Sequence, residues 1–460
     1  MRLAVLLVPA GWLAAASCTG GEDASGTAGA GGASTTTSTS STSSTTSAGG
    51  GSGCPALALP PEVPAGWSEL TDWSCDCRFY YPPTPELMPA PIAWEPCPAA
   101  LGSVDCRKMV VDWTPAYAFA IYSQAPLYVH DDGTPTLMFR RISERWITDM
   151  IADADGPVRM ALMRVRGSQE TAGGSGAGCS LGSPGYRWPR FALGVQGHDS
   201  EGDWLASPHQ GALVGTVDTP KPEVFRHYTD GRVRSWFMSE DYLAWENSTD
   251  FKVVASPWDQ TDIDVTSPPD DPDNLHANQV RWWKNALFWK TNAGSTSGIN
   301  VWTAQAGARP FIRWVGDDTR GAADLGTDGT DLVWAYGEGG VLPDTITYVT
   351  RSIMTAPFTT DGATALASAR RLRSEPDKCV GCDHFEVGCG YAAHRGAPSV
   401  LVVRLSDGWS WRVPEVWPDN SPEKALGITC DEVFVGGKID GIYNIARIRL
   451  DSLGPGMAPD

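Results

Sequence analysis

Leu325–Gly340 reads "LGTDGTDLVWAYGEGG", two aspartates, one glutamate and five glycines around the apolar patch Leu332-Val333-Trp334. Such a stretch is either an anion- or cation-binding loop or a turn that feeds a strand. The phosphate-loop reading fails because neither a helical period nor a Lys/Ser pair follows the glycines. Comparison with two upstream stretches decides for the turn. "SEDYLAWENST" around Trp245 and "WKNALFWKTNA" around Trp289 carry the same texture, and the three tryptophans fall about 45 residues apart. After each comes a polar or glycine-rich break and a second β-prone run: "FKVVASPW" from Phe251, "INVWTAQA" from Ile299 and "TYVTRSIM" from Thr347. A third run follows in places, as in "RPFIRWVG" from Arg309 and "ALASARRLR" from Ala365. Asp328-Gly329 is then a chain reversal, and Leu332, Val333 and Trp334 the strand it launches.

The pattern runs on toward the end of the chain. Val387–Ala393 pairs with Ser399–Leu405, and Val433–Val435 with Tyr443–Leu450, while upstream segments between residues 144 and 217 show strands bounded by Asp-Gly and Gly turns. The only helical candidates after residue 17 are "EKALGI" and "ISERWITDMI". Units of roughly 40 to 50 residues, each holding three or four short strands, predict an all-β fold built as a β-propeller of about seven blades, within six to eight. Stacked blades bury both faces of each sheet, which accounts for the non-alternating run Val400–Val403. A pair of β-sandwiches is the rival fold.

The unit "DLGTDGTDLVWAYGEG…TYVTRSI" resembles repeats of TolB-like propeller proteins and of stalked, Gly/Ser/Thr-tethered propeller lipoproteins of bacteria, over Trp236 to Leu450. The resemblance lies in hairpin texture and carries over no catalytic residue. It implies a binding platform.

The N-terminus predicts export. Residues 1–17, "MRLAVLLVPAGWLAAAS", hold one positive charge at Arg2, a short apolar run and small residues before Cys18. Ala15-Ala16-Ser17-Cys18 resembles a bacterial lipobox, departing from it at Ala15, and makes Cys18 the candidate lipidation site; cleavage by an ordinary signal peptidase is the alternative. Residues 18–53 form a Gly/Ser/Thr/Ala tether without the apolar content that folding requires, with a reach on the order of 30 Å. Residues 54–113 are a Pro/Cys-rich lead-in, expected to pack on the propeller and lend a strand to its last blade, and residues 114–460 are the propeller. This organisation places the protein at the outer membrane or cell surface, exported and lipid-anchored. The formal charge of −19 disfavours nucleic acid as a partner.

An exported chain favours disulfides, and ten cysteines follow Cys18. Five lie early (Cys54, Cys75, Cys77, Cys97, Cys106) and five late (Cys179, Cys379, Cys382, Cys389, Cys430). If all pair, an odd group cannot close on itself, so at least one bridge joins the lead-in to the later domain; Cys430, in the last blade, is the expected late partner. Cys379, Cys382, His384 and Cys389 also have ligand types that zinc accepts, but a second C-x-x-C pair is missing, and no metal or other cofactor is assigned.

Candidate chemistry is sparse. Asp259, Asp262, Asp264, Asp270, Asp271 and Asp273 form an acidic, proline-broken loop that lacks the glycine and glutamate of a helix-flanked calcium loop. His198, Asp199, Glu201, Asp203, His209, His227 and His276 are acid–base groups that propeller loops could gather at one end of the channel. H-E-x-x-H does not occur. Among the twenty tryptophans, Trp245, Trp289 and Trp334 are expected in the inter-blade core; Trp204, Trp258, Trp282 and Trp417 are candidates for a surface patch. The expected function is a binding or scaffolding module for envelope proteins or glycans, with a propeller hydrolase or lyase acting on polysaccharide as the alternative.

Overall fold

A computed structural model of the chain describes residue 63 and residues 65–70, 79–82, 92–97, 104–110, 113–115, 127–130, 132–142, 146–165, 178–181, 185–187, 189–198, 210–216, 219–227, 233–239, 241–247, 252–258, 263–264, 277–283, 285–291, 298–313, 320–338, 341–342, 345–346, 350–376, 385–395, 399–416, 424–439 and 442–459. The expected signal, lipidation site and tether lie outside them. All described strands belong to the unit Ser52–Asp460.

Seven antiparallel sheets follow one another along the chain, each a meander of first, second, third and fourth strands. Blade 5 shows the plan: Arg320–Thr327, Asp331–Glu338, Thr350–Pro357 and Arg370–Pro376 pair in that order, with a small hairpin, Val341–Leu342 and Thr345–Ile346, between the second and third strands. Blade 3 starts at Val233–Met238, blade 4 at Ala277–Trp283 and blade 6 at Phe385–Gly388. In blades 1 and 2 the first strand is broken into two pieces, 113–115 with 127–129 and 178–181 with 185–187, each pair of pieces bonding the same second strand. First strands touch first strands from blade 2 round through blade 7 and on to blade 1, so they form the inner wall of a ring. That is a seven-bladed β-propeller.

The opening motif sits where its turn chemistry requires. Thr327 Oγ1 accepts from Gly329 N, and Asp328 Oδ1 accepts from Thr330 N and Asp331 N at 2.9 and 3.0 Å, while Gly329 takes φ +83°. Glycine is needed twice over, because a Cβ there would stand 2.1 Å from the Trp283 indole of blade 4. Past the turn, Trp334 is the fourth residue of the second strand, as are Trp245 in Tyr242–Asn247 and Trp289 in Ala286–Thr291. Trp289 and Trp334 are fully buried, and Trp334 packs with Phe288, Ile312 and Leu332 in the seam between blades 4 and 5. In blades 6 and 7 the fourth residues are His394 and Val435, both buried.

The ring closes through the lead-in. Cys106–Met109 is the fourth strand of blade 7, pairing Cys106↔Ile448, Arg107↔Arg447 and Lys108↔Ala446, and Trp94–Pro96 pairs outside it. Phe79–Tyr81 joins the outer strand of blade 1 through Phe79↔Arg164, with Ser68–Glu69 beyond. The N-terminal segment thus straddles the join, where Leu137 and Phe139 of blade 1 pack with Leu426, Phe434 and Ile445 of blade 7. Arg447 clamps the same place. Its guanidinium donates to Glu432 at 2.7 to 3.1 Å and to Asp155 in blade 1 at 2.6 Å, lies 5.3 Å from the Trp94 ring centre, and Trp94 Nε1 donates to Ala154 O.

Three local expectations are corrected. The described bridges are Cys97–Cys106 and Cys389–Cys430, so Cys430 pairs within the late group and not with the lead-in, and Cys389 is no metal ligand. Cys179 lies on a strand, and Cys54, Cys75, Cys77, Cys379 and Cys382 lie outside the described residues. Three early and three late cysteines are left, so the parity argument for a crossing bridge survives. "ALASARRLR" is not one strand: Gly362–Ser368 is a short helix capped by Asp361, which accepts from Thr364 N, and the strand starts at Arg370. The helix fits because Gly362 lies against Phe311 O of blade 4, leaving no room for a Cβ. Conversely the described parts of "EKALGI" and "ISERWITDMI" are strand, since Lys424–Ile428 lines the inner wall and Trp146–Asp153 is a blade interior.

Candidate functional site

Strand ends and turns of blades 6 and 7 enclose a cavity of about 310 Å³ on the face that carries the first-to-second and third-to-fourth turns. Blade 6 supplies Tyr391 from the start of its second strand, Arg404 from the end of its third (Val400–Arg404) and Trp411 from its fourth (Ser410–Arg412). Blade 7 supplies Cys430 and Asp431 from its first turn and Arg449 from the end of its third strand, Ile442–Arg449. The remaining wall is the chain that follows, Leu450, Asp451 and Gly454.

Each part is held by local chemistry. Arg404 makes a two-pronged pair with Asp407 at 2.9 and 2.6 Å and lies 5.6 Å from the Trp411 ring centre. Tyr391 and Trp411 have ring centres 6.3 Å apart. Arg449 repeats the two-pronged geometry with Asp451 at 3.0 and 2.7 Å and approaches Asp105 of the lead-in at 3.9 Å. The hydrogen bonds from Arg404 and Arg449 hold Asp407 and Asp451 below the usual carboxylate range, and these bonds raise the arginines in turn. Both acids are therefore ionised acceptors at neutral pH.

Two covalent and backbone devices fix the cavity walls. Cys389–Cys430 joins the first turn of blade 6 to the first turn of blade 7, both cysteines exposed, with Cα atoms 5.0 Å apart. Cys389 has φ +51° and Gly390 φ +75°, two left-handed residues in succession, as a two-residue hairpin loop between Gly388 and Tyr391 demands. The chain beyond Arg449 then runs back as a strap. Leu450 N donates to Asp431 O, Ser452 Oγ accepts from Asp105 N, Met457 and Ser410 exchange backbone bonds at 2.7 and 3.1 Å, and Arg373 of blade 5 donates to Ala458 O. Gly456 sits against the Trp411 indole, where a Cβ would come within 2.7 Å. The strap thus spans blades 7, 6 and 5 and forms one side of the cavity.

The cavity was not among the sequence candidates. His198 and His227 end strands of blade 2, Asp264 and Trp282 lie on strands, and the side chains of all four lie outside the description, as do Asp199, Glu201, Asp203, His209, His276, Trp204, Trp417 and the rest of the acidic run. Of the surface tryptophans, Trp258 is half-buried, with the Arg190 guanidinium 4.7 Å from its ring centre. Among the described residues no three His, Cys, Asp or Glu side chains gather as metal ligands, and no helix is long and apolar enough to cross a membrane. Buried polar networks exist elsewhere, as in blade 1, where His130 Nε2, Thr136 Oγ1 and Asp153 Oδ1 are linked at 2.8 and 3.0 Å and Arg159 pairs with Asp153. They tie strands together and line no cavity described here.

No protein-family model matches the chain, and no curated protein does. Solved structures that resemble it include the Myceliophteria thermophila Cps50 (Swd1) beta-propeller domain, 10% identical over 71% of this chain and 96% of that chain with a TM-score of 0.43. Similar figures hold for a chain of the mitotic checkpoint complex (10%, 80% and 97%, 0.42) and for YCF48 bound to D1 peptide (10%, 79% and 99%, 0.41). Likeness at this level says nothing of function, and the fold assignment rests on the seven sheets themselves.

Proposed function

We propose that this protein is an exported, lipid-anchored propeller that acts as a binding module at the cell envelope, held off the membrane by its tether. The observation that carries the binding reading is the cavity between blades 6 and 7. Aromatic, donor and acceptor groups converge there on a rigid wall, which is what recognition asks of a site. Of its two carboxylates, Asp451 is held ionised by Arg449 and so makes a poor proton donor. That favours recognition over hydrolysis or β-elimination of a polysaccharide. The envelope location rests on the sequence of residues 1–53 and on the two disulfides, which belong to an oxidising compartment.

The test has two arms. Cell fractionation should find the full chain with membranes and a Cys18→Ser variant released from them; equal membrane association of both would refute the anchor. Crosslinking from intact envelopes with the anchored protein as bait should return a reproducible protein or glycan partner, fewer of which survive when Arg449→Gln alters the cavity. Capture that is indifferent to the cavity would refute its role, and turnover of envelope polysaccharide by the purified protein would move the reading to the enzyme alternative.

A further inference from the structure

The charges lining the cavity cancel. Arg404 and Arg449 face two carboxylates, Asp431 and Asp451, so neither a net cation nor a net anion finds complementary charge. The groups still open to a ligand are of both kinds. Arg449 commits Nε and Nη2 to Asp451, which leaves Nη1 as a donor. The backbone of Asp431 is occupied, its N–H donating to Thr429 Oγ1 and its C=O accepting from Leu450 N, whereas no hydrogen bond among the described residues engages its exposed carboxylate. A donor and an acceptor therefore line the cavity together with the ring carbons of Tyr391 and Trp411.

We propose, resting on the binding-module reading, that this cavity binds a neutral pyranose unit of a glycan. Vicinal hydroxyls on a sugar ring are donor and acceptor at once and match a guanidinium N–H beside a carboxylate, while the C–H face of the ring packs on aromatic carbon. The volume agrees: about 310 Å³ lies at the small end of ligand sites, suited to one or two sugar rings and not to a folded epitope. The Cys389–Cys430 bridge and the strap hold the two walls before any ligand arrives, so little ordering cost is left to binding.

Saturation-transfer NMR and calorimetry on the purified full chain would use neutral trisaccharides of glucose, galactose and mannose, a uronate trisaccharide and a lysine-rich tripeptide. At least one neutral sugar should bind saturably, ahead of the uronate and the peptide. Asp431→Asn should weaken it by about tenfold, the loss of one charge-assisted hydrogen bond, at unchanged melting temperature. Asp431 is exposed, so this variant folds; Arg449→Gln is the second, and should weaken the same sugar. No saturable neutral-sugar binding below about 10 mM, tighter binding of the uronate or peptide, or an Asp431→Asn variant that binds as the parent does would each overturn the proposal. If envelope crosslinking still returns a cavity-dependent protein partner in that event, the binding-module reading stands without the sugar; if both fail, both fall.

Discussion

Replacing Arg447 with methionine should weaken the join between blade 7 and blade 1 more than any surface substitution. The guanidinium is largely enclosed, at 13% side-chain exposure, and it holds Glu432, itself only 15% exposed, through three short contacts. Burial works against the charge on Arg447, yet the bonds from Glu432 and Asp155 more than offset this and keep the group strongly cationic. Removing it leaves a buried carboxylate without its partner, a loss of about 1.5–3 kcal/mol for charged hydrogen bonds. The contact over Trp94 adds about 0.5–1 kcal/mol. Asp155 is 62% exposed, so its share is at most about 1 kcal/mol. The arginine's own desolvation is relieved at the same time, and the net expectation is a loss of about 3 kcal/mol. Urea unfolding followed by circular dichroism should show a lower midpoint at unchanged slope. Hydrogen exchange should quicken first at the amides of 106–109, the strand that the seam holds. Asp155→Asn is the control and should cost less than about 1 kcal/mol. If Arg447→Met fell within that same range, the clamp would be ornamental and the ring would be held closed by the Leu137, Phe139 and Phe434 packing alone.

Other perturbations test separate links. Breaking Cys389–Cys430 frees a loop with a sequence separation of 41, which the chain-entropy relation puts at about 4 kcal/mol, readable as the shift in unfolding midpoint on reduction; Cys389→Gly with Cys430→Ala should lose less than Cys389→Ser with Cys430→Ala, because glycine accepts the positive φ. Gly362→Ala improves helix propensity by about 1 kcal/mol on paper but places a Cβ 1.5 Å from Phe311 O, so a lower melting temperature is expected and a higher one would refute the packing. Asp331 is raised above its ordinary value by burial and by the neighbouring Asp328; its proton is held more tightly when folded, so the penalty is absent at low pH and appears as pH rises through the raised value. Asp331→Asn should therefore raise the melting temperature at pH 7 and lose that advantage below about pH 4. Asp407 and Asp451 have the opposite sign: their pairs with Arg404 and Arg449 contribute above about pH 4 and are lost as pH falls through the lowered folded values, so Asp451→Asn should flatten the acid limb of the stability profile.

The propeller was legible because a periodic requirement leaves a periodic trace. Trp289 and Trp334 occupy one register, the fourth residue of a second strand, and a turn of fixed chemistry precedes Trp334. Where the same register is filled by His394 or Val435 the lettering fades although the strand does not. The helix at Gly362–Ser368 was missed for the converse reason: its start depends on the space left by Phe311 of the neighbouring blade and on a cap from Asp361, and neither is a period. The lead-in is held to the ring by strand pairing, which a cysteine count does not register, and the expected partner of Cys430 was misplaced because parity counts partners without saying where the turns of blades 6 and 7 meet.

The cavity could not have been read in the same way, since its walls come from Tyr391 to Gly454 through six separate strand ends and turns. Nothing in that spacing repeats; pairing within one blade sets Asp431 beside Arg449 and Trp411 beside Arg404, and only the folded ring brings the two blades' halves of the cavity together. Its position also joins recognition to closure. Asp105 reaches Arg449 and Ser452 from the same lead-in that supplies the outer strand of blade 7, and the strap that walls the cavity ends against blade 5. A lead-in strand released from blade 7 would therefore take Asp105 away from Arg449, which does line the cavity, and a ligand seated on Arg449 and Asp431 would resist that release. Ligand binding should then slow hydrogen exchange at 106–109 as well as at the cavity, a coupling that follows from the ring being closed at the blade that carries the site.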